Sequence, residues 1–347
     1  MEYLIIGAGA IGTYLGASLL DAGRKVSFLE KPERVEILKQ QGLHLSTSNK
    51  TIHISRLDIF DSMAEAFNSP RQVVIFAMKS FDTPAVVDQI ALYRNKFDNI
   101  LCLQNGVENE TVIEKAIGSD QVIAGSITSA VSRNDSGGVI LEKERGIGIE
   151  ECGEISKGIA ADFKAANLHP KLYSNRADMK WSKMLSNLLG NASCAILDLP
   201  PAQIFADPEL FHIEMAQIKE ALAVMQINGW KAVNLPRTSI GLLCFAIQHL
   251  PEGMNRRVLQ RPLGGGRGKK MPSLHIDLHS GKKESEVDFL NGAVSRFGMQ
   301  CGIDTPVNDT LVHTLKKLVQ NQEQIDYYRQ NKSALLVEIK RMETRNE

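Results

Sequence analysis

Within its first twelve residues the chain reads Tyr3-Leu4-Ile5-Ile6 and then Gly7-Ala8-Gly9-Ala10-Ile11-Gly12. A helix-compatible stretch, Thr13 to Asp21, follows and stops at Gly23, and a second apolar run occupies Val26 to Leu29. This order predicts strand, tight turn, helix and parallel strand. In such a unit the first glycine makes the turn, the second lets the backbone approach a pyrophosphate, and the third lets helix and strand pack closely. The helix N-terminus then offers unpaired N–H groups and a partial positive charge to phosphates. A G-x-G-x-x-G string alone also describes a structural turn. Its strand-to-helix setting makes Gly7, Ala8, Gly9, Ala10, Ile11 and Gly12 a dinucleotide-binding loop. At the end of the second strand a carboxylate would bind a ribose 2′-hydroxyl and a cation a 2′-phosphate. Glu30 is followed by Lys31 and Arg34, so the residues alone leave NADH and NADPH both open.

Apolar runs recur at Val73 to Met78, Ile100 to Leu103 and Val122 to Ala124, alternating with helical stretches. Runs apolar at every position suit strands buried on both faces, and strands joined through helices pair in parallel. Gly137 to Glu150, glycine-rich and then alternating, adds one or two further strands. From about residue 176 the period becomes that of long helices, expected at 178–197, 207–229, 237–249, 285–299 and 306 to about 345. Pro251 to Met271, which contains Gly264-Gly265-Gly266-Arg267-Gly268-Lys269-Lys270, reads as a mobile loop near a site. The expected fold is α/β: a Rossmann-type doubly wound parallel sheet in a dinucleotide-binding domain, residues 1–175, then an all-α domain, residues 176–347, for substrate binding and dimerisation. A length of 347 residues fits two such domains, each with its own core.

Forty Lys plus Arg offset forty Asp plus Glu without blocks of one sign, which leaves no electrostatic footprint for nucleic acid. Five scattered cysteines (Cys102, Cys152, Cys194, Cys244, Cys301) form neither a CxxC pair nor a disulfide framework and read as reduced thiols. No apolar run approaches the roughly 18 residues that span a bilayer, and no basic leader precedes the first strand. A cytoplasmic protein with a small-molecule partner is expected, touching neither nucleic acid nor membrane.

Polar residues in the helical half are the next candidates. Lys183, Asn187 and Asn191 recur at i, i+4 and i+8 within a segment rich in Leu and Met. Asparagine is a poor helix former, and an amide ladder beside a lysine needs partners. Lys180 fits nearly the same stripe, so spacing does not choose between the lysines, and a solvated face explains the pattern equally well. Leu103-Gln104-Asn105-Gly106 puts Asn105 where a doubly wound sheet opens its ligand crevice, although a plain turn also accounts for it. Ser273 opens a segment in which His275 and His279 stand four apart. With neither the glutamate of HExxH nor a third ligand in view, no metal is expected. Neither GxSxG nor a Cys–His pairing supports nucleophilic catalysis.

Taken together, GAGAIG at 7–12, Ala77-Met78-Lys79-Ser80, LQNG at 103–106, W-x-K-x-x-x-N-x-x-x-N at 181–191, P-S-x-x-x-D at 272–277, EVDFLNG at 286–292 and GIDTPVN at 302–308 resemble the ketopantoate reductase (2-dehydropantoate 2-reductase) family. The resemblance implies an NADP(H)-dependent oxidoreductase that reduces 2-dehydropantoate to pantoate in pantothenate and coenzyme A biosynthesis. It makes Lys183, not Lys180, the general acid, and Lys180→Ala is expected to cost little. It makes Asn187, Asn191 and Ser273 substrate contacts, Asn105 a contact to both nicotinamide and substrate, and Lys79, Ala130 and Glu286 cofactor contacts. Lys31 falls where a basic residue meets the 2′-phosphate. The sequence departs from the pattern at Leu199-Pro200-Pro201, where a further substrate asparagine is expected, and in its extended C-terminal helix.

In the expected reaction the cofactor supplies the hydride, and Lys183 polarises the 2-oxo group and donates the proton. An opine-type or 3-hydroxyacid dehydrogenase, or a non-catalytic NADP(H) sensor, would use the same architecture. Leu290, Val294, Leu311, Leu315, Leu318, Leu335 and Leu336 exceed what one packed face obviously uses, which predicts a homodimer.

Overall fold

The computed structural model describes residues 1–134, 137–265 and 271–346. The chain divides into two compact units, Met1–Lys180 with Leu235–Thr238, and Trp181–Asn234 with Ser239–Glu347. The helix Arg176–Leu188 begins in the first and ends in the second.

The strands of the first unit are β1 Glu2–Ile6, β2 Lys25–Leu29, β3 Leu43–Ser46, β4 Thr51–Ile54, β5 Asp58–Phe60, β6 Arg71–Phe76, β7 Phe97–Cys102, β8 Val122–Ile127, β9 Ala130–Arg133, β10 Val139–Lys143, β11 Ile147–Glu150 and β12 Pro170–Tyr173. Eight form one sheet in the order β12-β11-β8-β7-β6-β1-β2-β5, parallel except where β11 runs against β8. The unbroken apolar runs are explained by burial on both faces. Tyr3 and Ile5 enter one core with Phe28, Ile75 and Leu101, while Leu4 and Ile6 enter another with Phe76, Ile100 and Cys102. Gly137 to Glu150 supplies the two expected strands, but only β11 joins this sheet.

The second sheet, β4-β3-β10-β9, takes β10 from that stretch, whereas its β3, β4 and β9 have no counterpart in the sequence reading. It packs on the helix Ala10–Asp21. That helix is buried over eight consecutive residues, Gly12 to Leu19, which is why its sequence lacks a polar face.

The second unit is helical, with boundaries that differ from those expected. The helix expected at 178–197 breaks at Gly190, which takes φ +55°. The segment 285–299 is a 3-10 turn, Glu286–Phe289, followed by the helix Asn291–Cys301. The long C-terminal helix is split into Pro306–Gln320, Ile325–Tyr328 and Lys332–Asn346, with Gln330 left-handed at φ +54° and its N–H on Leu197 O at 2.8 Å. Much of the expected loop at 251–271 is the helix Glu252–Gly265, while residues 266–270 lie outside the described residues. Leu290, Val294, Leu311, Leu315, Leu318 and Leu335 are all buried within the chain. They complete its core, while Leu336 is half-buried. No helix among the described residues is long and apolar enough to cross a membrane.

Candidate functional site

Strand order in the large sheet reverses at β1, with β2 and β5 on one side and β6, β7 and β8 on the other. The loops leaving the carboxyl ends of β1, β6 and β7 therefore open side by side, where a doubly wound sheet takes its ligand. Backbone pairing runs on into each loop: Gly7 N–H donates to Leu29 O at 3.0 Å, Ala77 N–H to Ile6 O at 3.0 Å and Leu103 N–H to Phe76 O at 3.2 Å.

The first loop needs its glycines for three different reasons. Gly7 has φ +94°, and a Cβ on it would lie 3.0 Å from Met78 N. A Cβ on Gly12 would lie 1.9 Å from Gly7 O. Around Gly9 a Cβ would meet nothing within 4 Å, and no side chain caps the first turn of Ala10–Asp21. Open space beside uncapped helix N–H groups fits the pyrophosphate of a dinucleotide. Ala8 is buried, while Ala10 and Ile11 begin the helix half-exposed.

At the end of β2 the Glu30 carboxylate turns onto this loop, accepting the N–H of Ala8 at 2.7 Å and of Lys31 at 2.9 Å. Lys31 is exposed at the start of the helix Pro32–Gln41, and Arg34 stands one turn along it. Arg133, at the end of β9, was not singled out by sequence; its Nη2 donates to Ala8 O at 3.0 Å. Burial holds the Arg133 guanidinium below its ordinary pKa, as does the nearby Arg34, while Glu30 opposes both.

Lys79 and Asn105 sit half-buried on the loops after β6 and β7, and Ala130 opens β9. The two loops are tied together by amides. Gln104 Nε2 donates to Met78 O and Lys79 O, each at 3.2 Å, and to Thr83 Oγ1 at 2.8 Å. Asn105 O accepts from Ser80 Oγ at 2.8 Å and from Asn109 Nδ2 at 2.6 Å. Against expectation Lys180 belongs to this network: it is 4% exposed, and its Nζ lies 2.7 Å from Glu110 Oε1. Glu110 and Glu114 stand four apart, as do Arg176 and Lys180, and Arg176 pairs with Glu114. That matched spacing is the sequence signal that could have found the ladder.

In the second unit Lys183 and Asn187 keep their four-residue spacing on Arg176–Leu188, both half-buried among the buried Met184, Leu185 and Leu188. Asn191 leaves the stripe. The Glu214 carboxylate accepts the Gly190 N–H at 2.6 Å and the Ser193 hydroxyl, and Asn191 becomes the cap of the next helix, Ala192–Leu197. Asn191 is 3% exposed; its Nδ2 donates to Asn187 O at 3.0 Å and its Oδ1 accepts from Leu274 N at 3.2 Å. It thus joins the carrier of Lys183 to the helix Ser273–His279, whose first residue, Ser273, is exposed. Glu286 is 2% exposed in its 3-10 turn.

The third group that His275 and His279 lacked in the sequence is Asp198, whose Oδ1 lies 2.7 Å and 3.9 Å from their Nε2 atoms. Its Oδ2 lies 3.3 Å from Arg329 Nε. Burial favours the neutral acid, but the His275 hydrogen bond and the neighbouring His279 and Arg329 hold the Asp198 carboxyl below its usual range. The Arg329 guanidinium supplies a positive charge to this cluster.

A family model described as Ketopantoate reductase PanE/ApbA matches residues 3–154, and its C-terminal counterpart matches residues 175–319. The 2-dehydropantoate 2-reductase of Lactococcus lactis subsp. lactis (strain IL1403) is 24% identical over 331 residues, covering 92% of this chain and 99% of its own. That of Pyrococcus horikoshii is 25% identical over 317 residues, covering 89% and 94%. Among solved structures, a PanE/ApbA family ketopantoate reductase from Ralstonia eutropha JMP134 superposes with a TM-score of 0.77 at 26% identity, over 93% of this chain and 100% of that one. D-mandelate dehydrogenase, in a ternary complex with NADH and anilino(oxo)acetate, gives a TM-score of 0.76 at 20% identity over 94% and 100%, a likeness of fold alone. The two models together account for both halves of the molecule, including the glycine-rich loop and the helix of Lys183, and the chain belongs to the ketopantoate reductase PanE/ApbA family.

Proposed function

We propose that the protein reduces a 2-oxo acid to its 2-hydroxy acid with NADPH, ketopantoate to pantoate being the foremost pair, and that Lys183 donates the proton. One observation carries the choice of lysine. Lys180 is buried and ion-paired, whereas Lys183 keeps part of its side chain exposed on the same face as Asn187. When bound, the reduced nicotinamide supplies the hydride that adds to the 2-oxo carbon. The Lys183 ammonium polarises the 2-oxo group and then gives its proton to the alkoxide oxygen. Asn187 and Ser273 orient the substrate's carboxylate and hydroxyl, and Asn191, with both ends of its amide engaged inside the unit, holds the elements that carry them. The glycine-rich loop binds the pyrophosphate, with Lys79, Asn105, Ala130 and Glu286 as further cofactor contacts. Product then serves pantothenate and coenzyme A synthesis.

A second reading rests on Pro201, buried at the start of the helix Pro201–Ala206 where a substrate amide was expected. An enzyme without that amide would act on a 2-oxo acid other than ketopantoate, as the mandelate dehydrogenase of similar fold does on its own substrate class. Turnover of NADPH and NADH against a panel that includes ketopantoate and the 2-oxo form of mandelate tests both readings. Highest kcat/KM with ketopantoate and NADPH supports the first, highest with another acid the second, and no turnover with any acid contradicts both.

A further inference from the structure

Three polar contacts surround the buried Lys180 ammonium. Its Nζ donates to Gln104 O at 2.9 Å and Gly125 O at 3.3 Å and lies 2.7 Å from Glu110 Oε1. The first two are hydrogen bonds to carbonyls and the third is a buried ion pair. Burial alone would lower the lysine's pKa, but the Glu110 carboxylate more than offsets it and the value stands above that of an ordinary lysine. The group stays charged at neutral pH.

Of the three partners, Gly125 lies in β8 and Glu110 on the helix Asn109–Ile117, while Gln104 lies on the loop after β7. The carbonyl that Lys180 holds belongs to Gln104, directly before Asn105, and the Gln104 amide in turn holds the carbonyls of Met78 and Lys79. Glu110 is next to Asn109, whose amide holds Asn105 O. One ammonium is thus the common support of the segments after β6 and β7. We propose that Lys180 is a positioning residue for the cofactor, fixing the backbone that presents Asn105 and, through the Gln104 amide, Lys79. This rests on the reading of Asn105 and Lys79 as cofactor contacts.

Lys180→Met alone would leave Glu110 buried without its cation and threaten folding. The informative variant is Lys180→Met with Glu110→Leu, which removes both charges at once. The control, Arg176→Met with Glu114→Leu, removes the neighbouring pair, which touches neither loop. Dissociation constants for NADPH by fluorescence, kcat/KM and melting temperature are read on each. The Lys180/Glu110 variant is expected to bind NADPH about tenfold more weakly and to lose about 10²-fold in kcat/KM, as a misplaced contact of about 1 Å would cause. The control should stay within about twofold in both, whatever its melting temperature, because a merely structural pair moves stability and not affinity. Gln104→Met keeps the ion pair, removes the amide's bonds to Met78 O, Lys79 O and Thr83 Oγ1, and should show a smaller loss of the same kind. Wild-type affinity and kcat/KM in a folded Lys180/Glu110 variant, or in Gln104→Met should the double variant not fold, would overturn the proposal. Failure of the wild-type protein to bind any nicotinamide dinucleotide would instead overturn the cofactor reading, and the proposal with it.

Discussion

The Glu30 carboxylate and the Ala8 N–H are joined at 2.7 Å, so the acidic residue at the end of β2 is engaged by the glycine-rich loop itself. Around it stand Lys31, Arg34 and Arg133, the last reaching Ala8 O from β9. Three cations against one carboxylate favour a 2′-phosphate, and NADPH is expected to bind more tightly than NADH. Lys31→Ala and Arg133→Ala should each narrow the gap by about tenfold, the worth of one charge-assisted hydrogen bond. Glu30→Gln should widen it. Equal dissociation constants for the two cofactors in the wild-type protein would contradict this account.

The glycine loop gives a paired test. A Cβ on Gly12 would strike Gly7 O at 1.9 Å, whereas one on Gly9 would meet nothing within 4 Å. Gly12→Ala should therefore destabilise the protein by about 1–3 kcal/mol, the usual cost of overpacking. Gly9→Ala should melt near the wild-type temperature yet bind dinucleotide at least about tenfold more weakly, because the space it fills is the one proposed for the pyrophosphate. Wild-type affinity in Gly9→Ala would place the cofactor elsewhere.

In the second unit Glu220 accepts the N–H groups of Val307 and Asn308 at 2.9 and 3.0 Å, and Asn308 in turn joins Gln217 and Asn291. Burial pushes the Glu220 carboxyl from 4.5 up to about 7. The folded state then binds this proton more tightly than the unfolded chain does, so its contribution to stability is complete below about pH 4.5 and is lost as pH rises through about 7. Unfolding by denaturant across that window should show this decline, worth at most about 3 kcal/mol, and Glu220→Gln should flatten it. An unchanged slope in the variant would show that another group carries the effect.

What could be read from the sequence depended on how local each determinant is. The glycine loop was legible because turn, approach and packing are set within six residues. Strands β3 and β4 were not, since Leu43-His44-Leu45-Ser46 and Thr51-Ile52-His53-Ile54 are short and half polar, and it is the helix Ala10–Asp21, earlier in the chain, that their sheet covers. The Lys183–Asn187 spacing survived folding. Asn191 left the stripe because Glu214, from another helix, holds Gly190 in its left-handed turn, a contact that periodicity does not contain. Lys180 was set aside for the same reason: its worth lies in Glu110 and the Gln104 carbonyl, far earlier in the chain.

The central claim, that Lys183 supplies the proton, is tested most directly by turnover and NADPH affinity of Lys183→Ala. Lys183 is not among the proposed cofactor contacts and lies in a different unit from the glycine-rich loop, so affinity for NADPH should remain close to wild type. Turnover with the best 2-oxo acid should fall by about 10² to 10⁴, the loss typical of a missing general acid. Retention of more than about a third of wild-type turnover, far short of that range, would mean that another group or water delivers the proton and that Lys183 does not.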